Sequence, residues 1–406
     1  MERTTTMIMA GGRGSRLFPL TKQCAKPAIR FGGIYRIIDF TLSNCLNSGI
    51  RRIYLLTQYA STSVERYIRH GWALLFRSEF HEIIETRPPQ HVIDGEWYQG
   101  TAHCIYMNMD LVRQERQDNV LILSGDHIYK MDYRKMLEFH RDENADLTIA
   151  CVDLPLENAQ NMGVIEIDDD FRVKSFEEKP EFPKSIPGDP TKALCNMGVY
   201  LFRTKTLNEV LKADAEDNSS QHDFGRNIIP NMLNASSKVM CYLFWDENKK
   251  ASKYWRDIGT LDAYYEANAD LVEIDPLFNL YDNEWPVRGF FPQSPPAKTV
   301  FNWGNENRIG LALDSLLSPG VIISGGKVEH SILSPNVKVH SFSQIYNSII
   351  LDNVEIGRNC FIRNAIIDSN VIILPGTHIG LNPESDRQNY TLSDRGIVVV
   401  TKSEDF

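Results

Sequence analysis

The sequence has no long apolar run. Stretches such as 397–400 last only a few residues, whereas a membrane-spanning helix needs about 20. The first ten residues hold no apolar segment of signal-peptide length. A soluble, cytoplasmic protein without a membrane partner is therefore expected. Cys-x-x-Cys pairs are also missing. Seven scattered cysteines, an odd number, argue against a disulfide framework or a zinc site. They read as small buried hydrophobes. Positive net charge is lacking: the formal value is −10, which disfavours a nucleic-acid partner. Acid is absent locally as well. Arg3, Arg13, Arg16, Lys22, Lys26, Arg30 and Arg36 follow one another with no Asp or Glu among them. A basic run is ordinarily a solvated face. This one contains glycines and adjoins a strand pattern, which favours an anion site.

What is present suggests two domains, since 406 residues exceed one ordinary domain. Apolar runs at 7–10, 53–57, 120–124 and 147–152 read as buried parallel strands. Helical patterns at 36–47, 61–70 and 132–143 alternate with them. The expectation is an α/β domain over 1–271, with a mostly parallel, Rossmann-like sheet. Ligands of such sheets bind beyond the carboxyl ends of the strands. Prolines and aromatics then mark 272–305 as a packed connector rather than a free linker.

The remainder, 306–406, repeats. At a spacing of 17, Ile322, Val339, Ile356 and Ile373 align, as do Val328, Ile345, Ile362 and Ile379. Ile332, Ile349 and Ile366 keep the same spacing, and so do Val337, Val354 and Val371. Small residues recur at Gly326, Ser343, Cys360 and Thr377. A coil that buries its β-branched residues only by stacking on the next is a solenoid. Roughly three strands per coil suit a parallel β-helix of hexapeptide-like units. An evenly turned β-sandwich is the competing reading.

The loop Gly11-Gly12-Arg13-Gly14-Ser15-Arg16-Leu17 follows the first strand pattern. It lacks the Gly-Lys-Ser/Thr end of a Walker loop. Leu17 stands where the dinucleotide fingerprint has its third glycine. Glycines bring backbone close to phosphate, and guanidiniums add forked donors. Alone, Gly-Gly-x-Gly could equally be a tight turn. Ser15-Arg16-Leu17 and then Lys26-Pro27 narrow it.

Further blocks keep order and spacing along almost the whole chain. They are 9–20, Ala25-Lys26-Pro27-Ala28, Arg36-Ile37-Ile38-Asp39-Phe40, Ser43-Asn44-Cys45 and Asn47-Ser48-Gly49-Ile50. Gly125-Asp126-His127-Ile128-Tyr129, Glu177-Glu178-Lys179-Pro180, His222-Asp223-Phe224-Gly225 and 254–260 follow. In these the chain resembles the bacterial glucose-1-phosphate adenylyltransferases. The resemblance implies a GT-A-like nucleotidyltransferase domain and a left-handed β-helix for assembly and regulation. It implies ATP and glucose 1-phosphate as substrates, Mg2+ as cofactor, and a homotetramer. Arg16, Lys26 and Asp126 are the implied catalytic residues, with Arg13 as an added phosphate contact. Gly11, Gly12, Gly14, Ser15, Arg16, Lys26, Gln90 and Gly125 would hold ATP. Gln90 is the candidate adenine reader, because an amide both donates and accepts. Asp126 and Asp257 are the implied metal ligands, which suits an ion that takes oxygen donors and keeps waters. Tyr98, Gly163, Glu178, Lys179, Asn196 and Tyr200 would line the sugar-phosphate pocket. Trp97, Trp255, Asp223 and Phe224 either shape the site or serve the core.

Some positions depart from the family. Its Lys-Arg pair ahead of Ala-Lys-Pro is Gln23-Cys24. This removes the ground for expecting activation by fructose 1,6-bisphosphate and inhibition by AMP, as in enteric-type members. A site for phosphorylated effectors with altered specificity is expected instead, with Arg30, Arg36 and Arg387 as candidates and Arg395 nearby. The chain also ends at Phe406 without the basic tail of some relatives. His103 replaces an aspartate and reads as structural. Asn196 replaces a serine, which opens the choice between glucose and glucosamine phosphates. Rival readings are an enzyme using another nucleoside triphosphate or sugar phosphate, or a non-catalytic regulatory subunit. Acyl transfer through His330, His340 or His378 is a third, without a CoA-binding pattern to support it.

Overall fold

The computed structural model describes residues 3–89, 97–115, 117–246, 251–301 and 308–402. Contacts group the chain into two units that cut across its linear order. One unit comprises 1–12, 41–125 and 129–255; the other comprises 13–40, 126–128 and 256–406. The interleaving differs from a linear division at 271. Residues 13–40 and 256–271 group with the repeat because they pack and hydrogen-bond with it.

The first unit is built on a nine-stranded sheet. Thr4–Met9 lies at its centre, paired in parallel with Arg52–Leu56 and Asn119–Ser124. Ile83–Arg87 extends the parallel set. Met7, Ile8, Leu55, Ile122 and Leu123 are fully buried, so these strands are apolar on both faces. The long strand Lys192–Arg203 runs antiparallel between Asn119–Ser124 and Leu147–Pro155. The run at 147–152 is thus a strand, yet it pairs in parallel only with Val239–Leu243. A strand buried on both faces reads the same in either direction, so its apolar pattern carried no sign. Helices fill Ile37–Asn47, Ser61–His70 and Tyr133–Asp142, within the three expected ranges. Asp132 caps the third by accepting from Arg134 N at 3.0 Å. Gly125 N donates to Met9 O at 3.0 Å, which fixes the turn after Asn119–Ser124 at the carboxyl end of the central strand.

In the second unit the repeat forms three faces, sheets of five, five and six strands, parallel except for Thr391–Leu392 at the edge of the third, which runs antiparallel to Val398–Val400. Val328, Ile345, Ile362 and Ile379 stack in one register. Ile332, Ile349 and Ile366 stack in another. One alignment needs correction: Ile323, not Ile322, pairs with Val339. Ile323 is fully buried, whereas Ile322 is 38% exposed. The first coil is one residue short at this corner, so a strict 17-residue comb picks the neighbour. Coil corners use the left-handed region at Asn336, Asn353 and Asn370. Asparagine tolerates that conformation. Its amides also form a ladder, Asn336 Nδ2 to Asn353 Oδ1 at 3.2 Å and Asn353 Nδ2 to Asn370 Oδ1 at 3.1 Å. Within 272–305, Phe278 is buried edge-on to Phe40 at 5.5 Å. Among the described residues, no helix is long and apolar enough to cross a membrane.

Ile345→Ala should cost about 2–5 kcal/mol of stability through transfer and cavity terms. Ile322→Ala should cost about 0.5 kcal/mol or less. Denaturation followed by circular dichroism distinguishes the two; similar losses would reject the corrected register.

Candidate active site

Two clusters of expected residues form, one in each unit. In the second unit the loop turns at Gly14, whose φ of +60° is left-handed. A Cβ there would lie 2.9 Å from Thr21 Cγ2 and 3.0 Å from Lys26 Cβ. Glycine is therefore required both by conformation and by the approach of Lys26. Thr21 Oγ1 donates to Gly14 O at 3.0 Å and holds the turn. Ser15–Leu17 is a short 3-10 turn with Leu17 buried, while Ser15 and Arg16 stay exposed. Pro27 opens a second 3-10 turn, Lys26–Ala28, which presets the backbone behind the lysine.

Lys26 is the centre of this cluster. Its Nζ lies 2.6 Å from Asp126 Oδ2 and 3.3 Å from Asp257 Oδ1, and its side chain is only 10% exposed. Burial alone would lower its pKa, but the charges of Asp126 and Asp257 outweigh that and raise it. The lysine thus stays cationic. Asp126 follows the central-sheet strand Asn119–Ser124, and Asp257 ends the short strand Trp255–Asp257. That strand pairs with His127–Tyr129. Asp126, His127 and Asp257 each offer one ligand atom within 4.8 Å of the others. Two carboxylates beside an imidazole fit a divalent cation that favours oxygen donors. Arg16 also belongs here: a Cβ on Gly259 would stand 3.0 Å from Asp257 Oδ2 and 3.3 Å from Arg16 Nη2.

The first unit assembles the expected sugar residues. Glu178 ends the strand Val173–Glu178, opposite Gly163. A Cβ on Gly163 would meet Glu178 Oε2 at 3.0 Å, and one on Gly225 would meet it at 2.5 Å. Both glycines make room for this carboxylate. Burial, with Asp223 second, raises the Glu178 pKa above the usual carboxylate value. Lys179 adopts φ +53°, and its Nζ is 3.8 Å from Glu178 Oε1. Its side chain is 53% exposed, so the ammonium is free to turn to a ligand. Asn196 Nδ2 donates to the Tyr200 hydroxyl at 2.6 Å, and Asn196 Oδ1 accepts from Gly198 N at 2.8 Å. Tyr200 stacks on Phe224 at 5.3 Å. Asp223 caps the turn that follows, accepting from Gly225 N at 2.9 Å and Arg226 N at 3.1 Å.

Other expectations fare differently. The Tyr98 hydroxyl accepts from Asn108 Nδ2 at 3.1 Å. Burial pushes its pKa up to about 12. Trp97 is exposed and Trp255 buried. Gly11 is packed against Gln58, whereas a Cβ on Gly12 would meet nothing within 4 Å. His103 Nδ1 accepts from Gln99 N at 3.1 Å, a structural role. Gln90 lies outside the described residues. Arg30 and Arg36 line a cavity of about 890 Å³ with Lys22, Gln23, Cys24, Asp352 and Lys402. Arg387 sits in the helix Pro383–Asn389 and is not among the lining residues. Arg30 is buried and committed, with Nη2 at 2.6 Å from Asp352 Oδ2. Arg395 pairs with Glu266. Two contributors had received no role from sequence, His127 and Gly225. Adjacency to Asp126, and to Asp223-Phe224, was the only signal for them.

A central parallel sheet, a glycine/arginine loop and paired acids around a lysine define a nucleotide-handling α/β protein. The family model for nucleotidyl transferases matches residues 5–274, and that for the GlmU-like C-terminal hexapeptide matches 295–400. The repeat is accordingly a left-handed β-helix. A glucose-1-phosphate adenylyltransferase of Koribacter versatilis is 50% identical over 99% of this chain and 96% of its own. That of Rhodopirellula baltica is 48% identical over 100% of this chain and 91% of its own. Glucose-1-phosphate adenylyltransferase 2 of Vibrio cholerae is 47% identical over 100% and 99%. The chain belongs to the glucose-1-phosphate adenylyltransferase family of nucleotidyltransferases.

Gly14→Ala should cost about 1–2 kcal/mol for the left-handed backbone alone. Gly12→Ala should stay within about 0.5 kcal/mol. Thermal unfolding of both variants checks the difference, and equal shifts would contradict the assigned roles.

Proposed function

We propose that the chain converts ATP and α-D-glucose 1-phosphate to ADP-glucose and diphosphate, supplying ADP-glucose for glycogen-type α-glucan synthesis. The observation that carries this reading is the Lys26–Asp126–Asp257 cluster beside Arg16. The sugar phosphate attacks the ATP α-phosphate in line. Both reactants are anions, so positioning and fixed charge supply most of the rate. Gly11, Gly12, Gly14, Ser15 and Gly125 line the triphosphate's backbone cradle. Arg16 and Lys26 hold its oxygens and offset charge on the departing diphosphate, and Arg13 adds to them. Asp126 and Asp257 hold Mg2+, which when bound neutralises phosphate charge. Gln90 reads adenine.

On the sugar side, Lys179 grips the phosphate and Glu178 accepts from sugar hydroxyls. Tyr98, Gly163, Asn196 and Tyr200 complete the pocket. The bonds of Asn196 to Tyr200 and Gly198 give it a positioning role beyond direct contact. Arg30 and Arg36, in the cavity beside Lys22 and Lys402, receive a phosphorylated effector. Arg387 stands apart from that cavity and is a weaker candidate. The assembly is a homotetramer. A non-catalytic subunit is disfavoured, because Arg16, Lys26, Asp126, Lys179 and Asp257 are all present.

Diphosphate release measured with ATP, UTP, dTTP and GTP, each with glucose 1-phosphate and glucosamine 1-phosphate, tests the assignment. ATP with glucose 1-phosphate should dominate; preference for another pair would overturn it. Asp126→Asn should lower kcat by about 10²-fold or more with the fold intact. Lys179→Ala should raise the KM for sugar phosphate about 10–100-fold, the loss of one charge-assisted contact. An unchanged KM would remove Lys179 from the pocket.

A further inference from the structure

The metal-ligand reading above uses two aspartates. The geometry around them holds a third donor. His127 Nε2 lies 3.4 Å from Asp126 Oδ1 and 3.8 Å from Asp257 Oδ1, and its side chain is 12% exposed. Lys26 approaches the other oxygen of Asp126, Oδ2, at 2.6 Å. The Asp126 carboxylate is thus divided, one oxygen facing the lysine and one facing the imidazole. Asp257 Oδ1 faces both groups. The strand pairing between His127–Tyr129 and Trp255–Asp257 holds imidazole and carboxylate on neighbouring backbones. One ligand atom from each of Asp126, His127 and Asp257 therefore falls within 4.8 Å of the others, at the edge of the lysine contact.

We infer that His127 is a third protein ligand, so that a divalent ion held by Asp126 and Asp257 also takes an imidazole nitrogen. An imidazole nitrogen adds little for Mg2+, which prefers oxygen and water. It adds more for the transition metals, whose affinity for nitrogen donors rises from Mn2+ to Co2+. The centre thus discriminates among cations through a residue that the two-aspartate reading leaves idle. His127 acts on the choice and orientation of the ion. The inference rests on the proposed metal site, and one experiment separates the two.

Mn2+ alone is added to the full-length protein without nucleotide. Binding is followed by loss of the free-ion electron paramagnetic resonance signal, and donor identity by pulsed measurement of nitrogen coupling. Wild type should bind Mn2+ and show an imidazole nitrogen coupling. His127→Asn should lose the coupling and weaken Mn2+ about 10-fold or more. Its Mg2+ affinity, measured by competition, should change little, because asparagine still offers oxygen. Asp126→Asn should weaken both ions. Wild-type binding without nitrogen coupling, or coupling that persists in His127→Asn, would overturn the role of His127 while leaving the site intact. Mn2+ binding unaffected by Asp126→Asn would overturn the site itself, and His127 with it. Because the wild-type coupling is decisive alone, a variant that fails to fold does not protect the inference.

Discussion

One buried ammonium organises the cluster of Lys26, Asp126 and Asp257. Lys26 draws together two carboxylates from 100 and 231 residues further along the chain. The ammonium between them offsets the mutual repulsion of the two carboxylates. Removing one partner of such a pair leaves an uncompensated buried charge, which is worth several kcal/mol. The surrounding backbone is shaped to deliver this one side chain. Gly14 gives way to the Lys26 stem, Thr21 holds the turn of Gly14, and Pro27 stiffens the turn after it.

The cluster around Glu178 follows a different logic. There the crowded group is an acid, and space comes from absent side chains. Gly163 and Gly225 flank the Glu178 carboxylate so closely that neither can carry a Cβ without moving it. Partial burial keeps that carboxyl easier to protonate than an exposed one. Asp223 ties the second glycine's turn to Thr101, whose Oγ1 donates to Asp223 Oδ2 at 3.0 Å. A single aspartate therefore fixes backbone, neighbour and local charge together.

Much of this was legible in the sequence, and the exceptions have physical causes. The helices were set by amphipathic spacing and by caps such as Asp132, both local signals. The repeat was visible because each coil repeats the same burial problem. It misled at Ile322, where a one-residue deletion shifts the comb without changing the chemistry of the aligned residues. The sense of Leu147–Pro155 was hidden because a strand buried on both faces has no directional pattern. Lys26, Asp126 and Asp257 are expected from motif and resemblance, but their bonding to one another is a tertiary fact. His127 went unassigned because nothing in Gly-Asp-His states where an imidazole points. Gly225 is explained only by Glu178, 47 positions earlier in the chain.

The repeat also bears on the Lys26 cluster through covalent proximity. Arg30 lies four residues after Lys26. Asp352, from a coil of the β-helix, accepts from its Nε at 2.7 Å and pairs with Nη2 at 2.6 Å. The Tyr264 hydroxyl donates to Arg30 O at 2.6 Å from the helix Leu261–Ala269, which begins four residues after Asp257. Tyr265 of the same helix donates to Asn347 O at 2.6 Å. The β-helix therefore anchors the segments behind both Lys26 and Asp257. Burial raises the pKa of Asp352 even with Arg30 beside it, so the pair depends on the guanidinium staying in place. The cavity proposed for an effector is lined by these same two side chains. The backbone that carries Arg30 is the one that presents Lys26, four residues earlier. Gln23 and Cys24 leave their part of that cavity's lining uncharged, and the Arg30–Asp352 pair supplies a fixed charge pair within it.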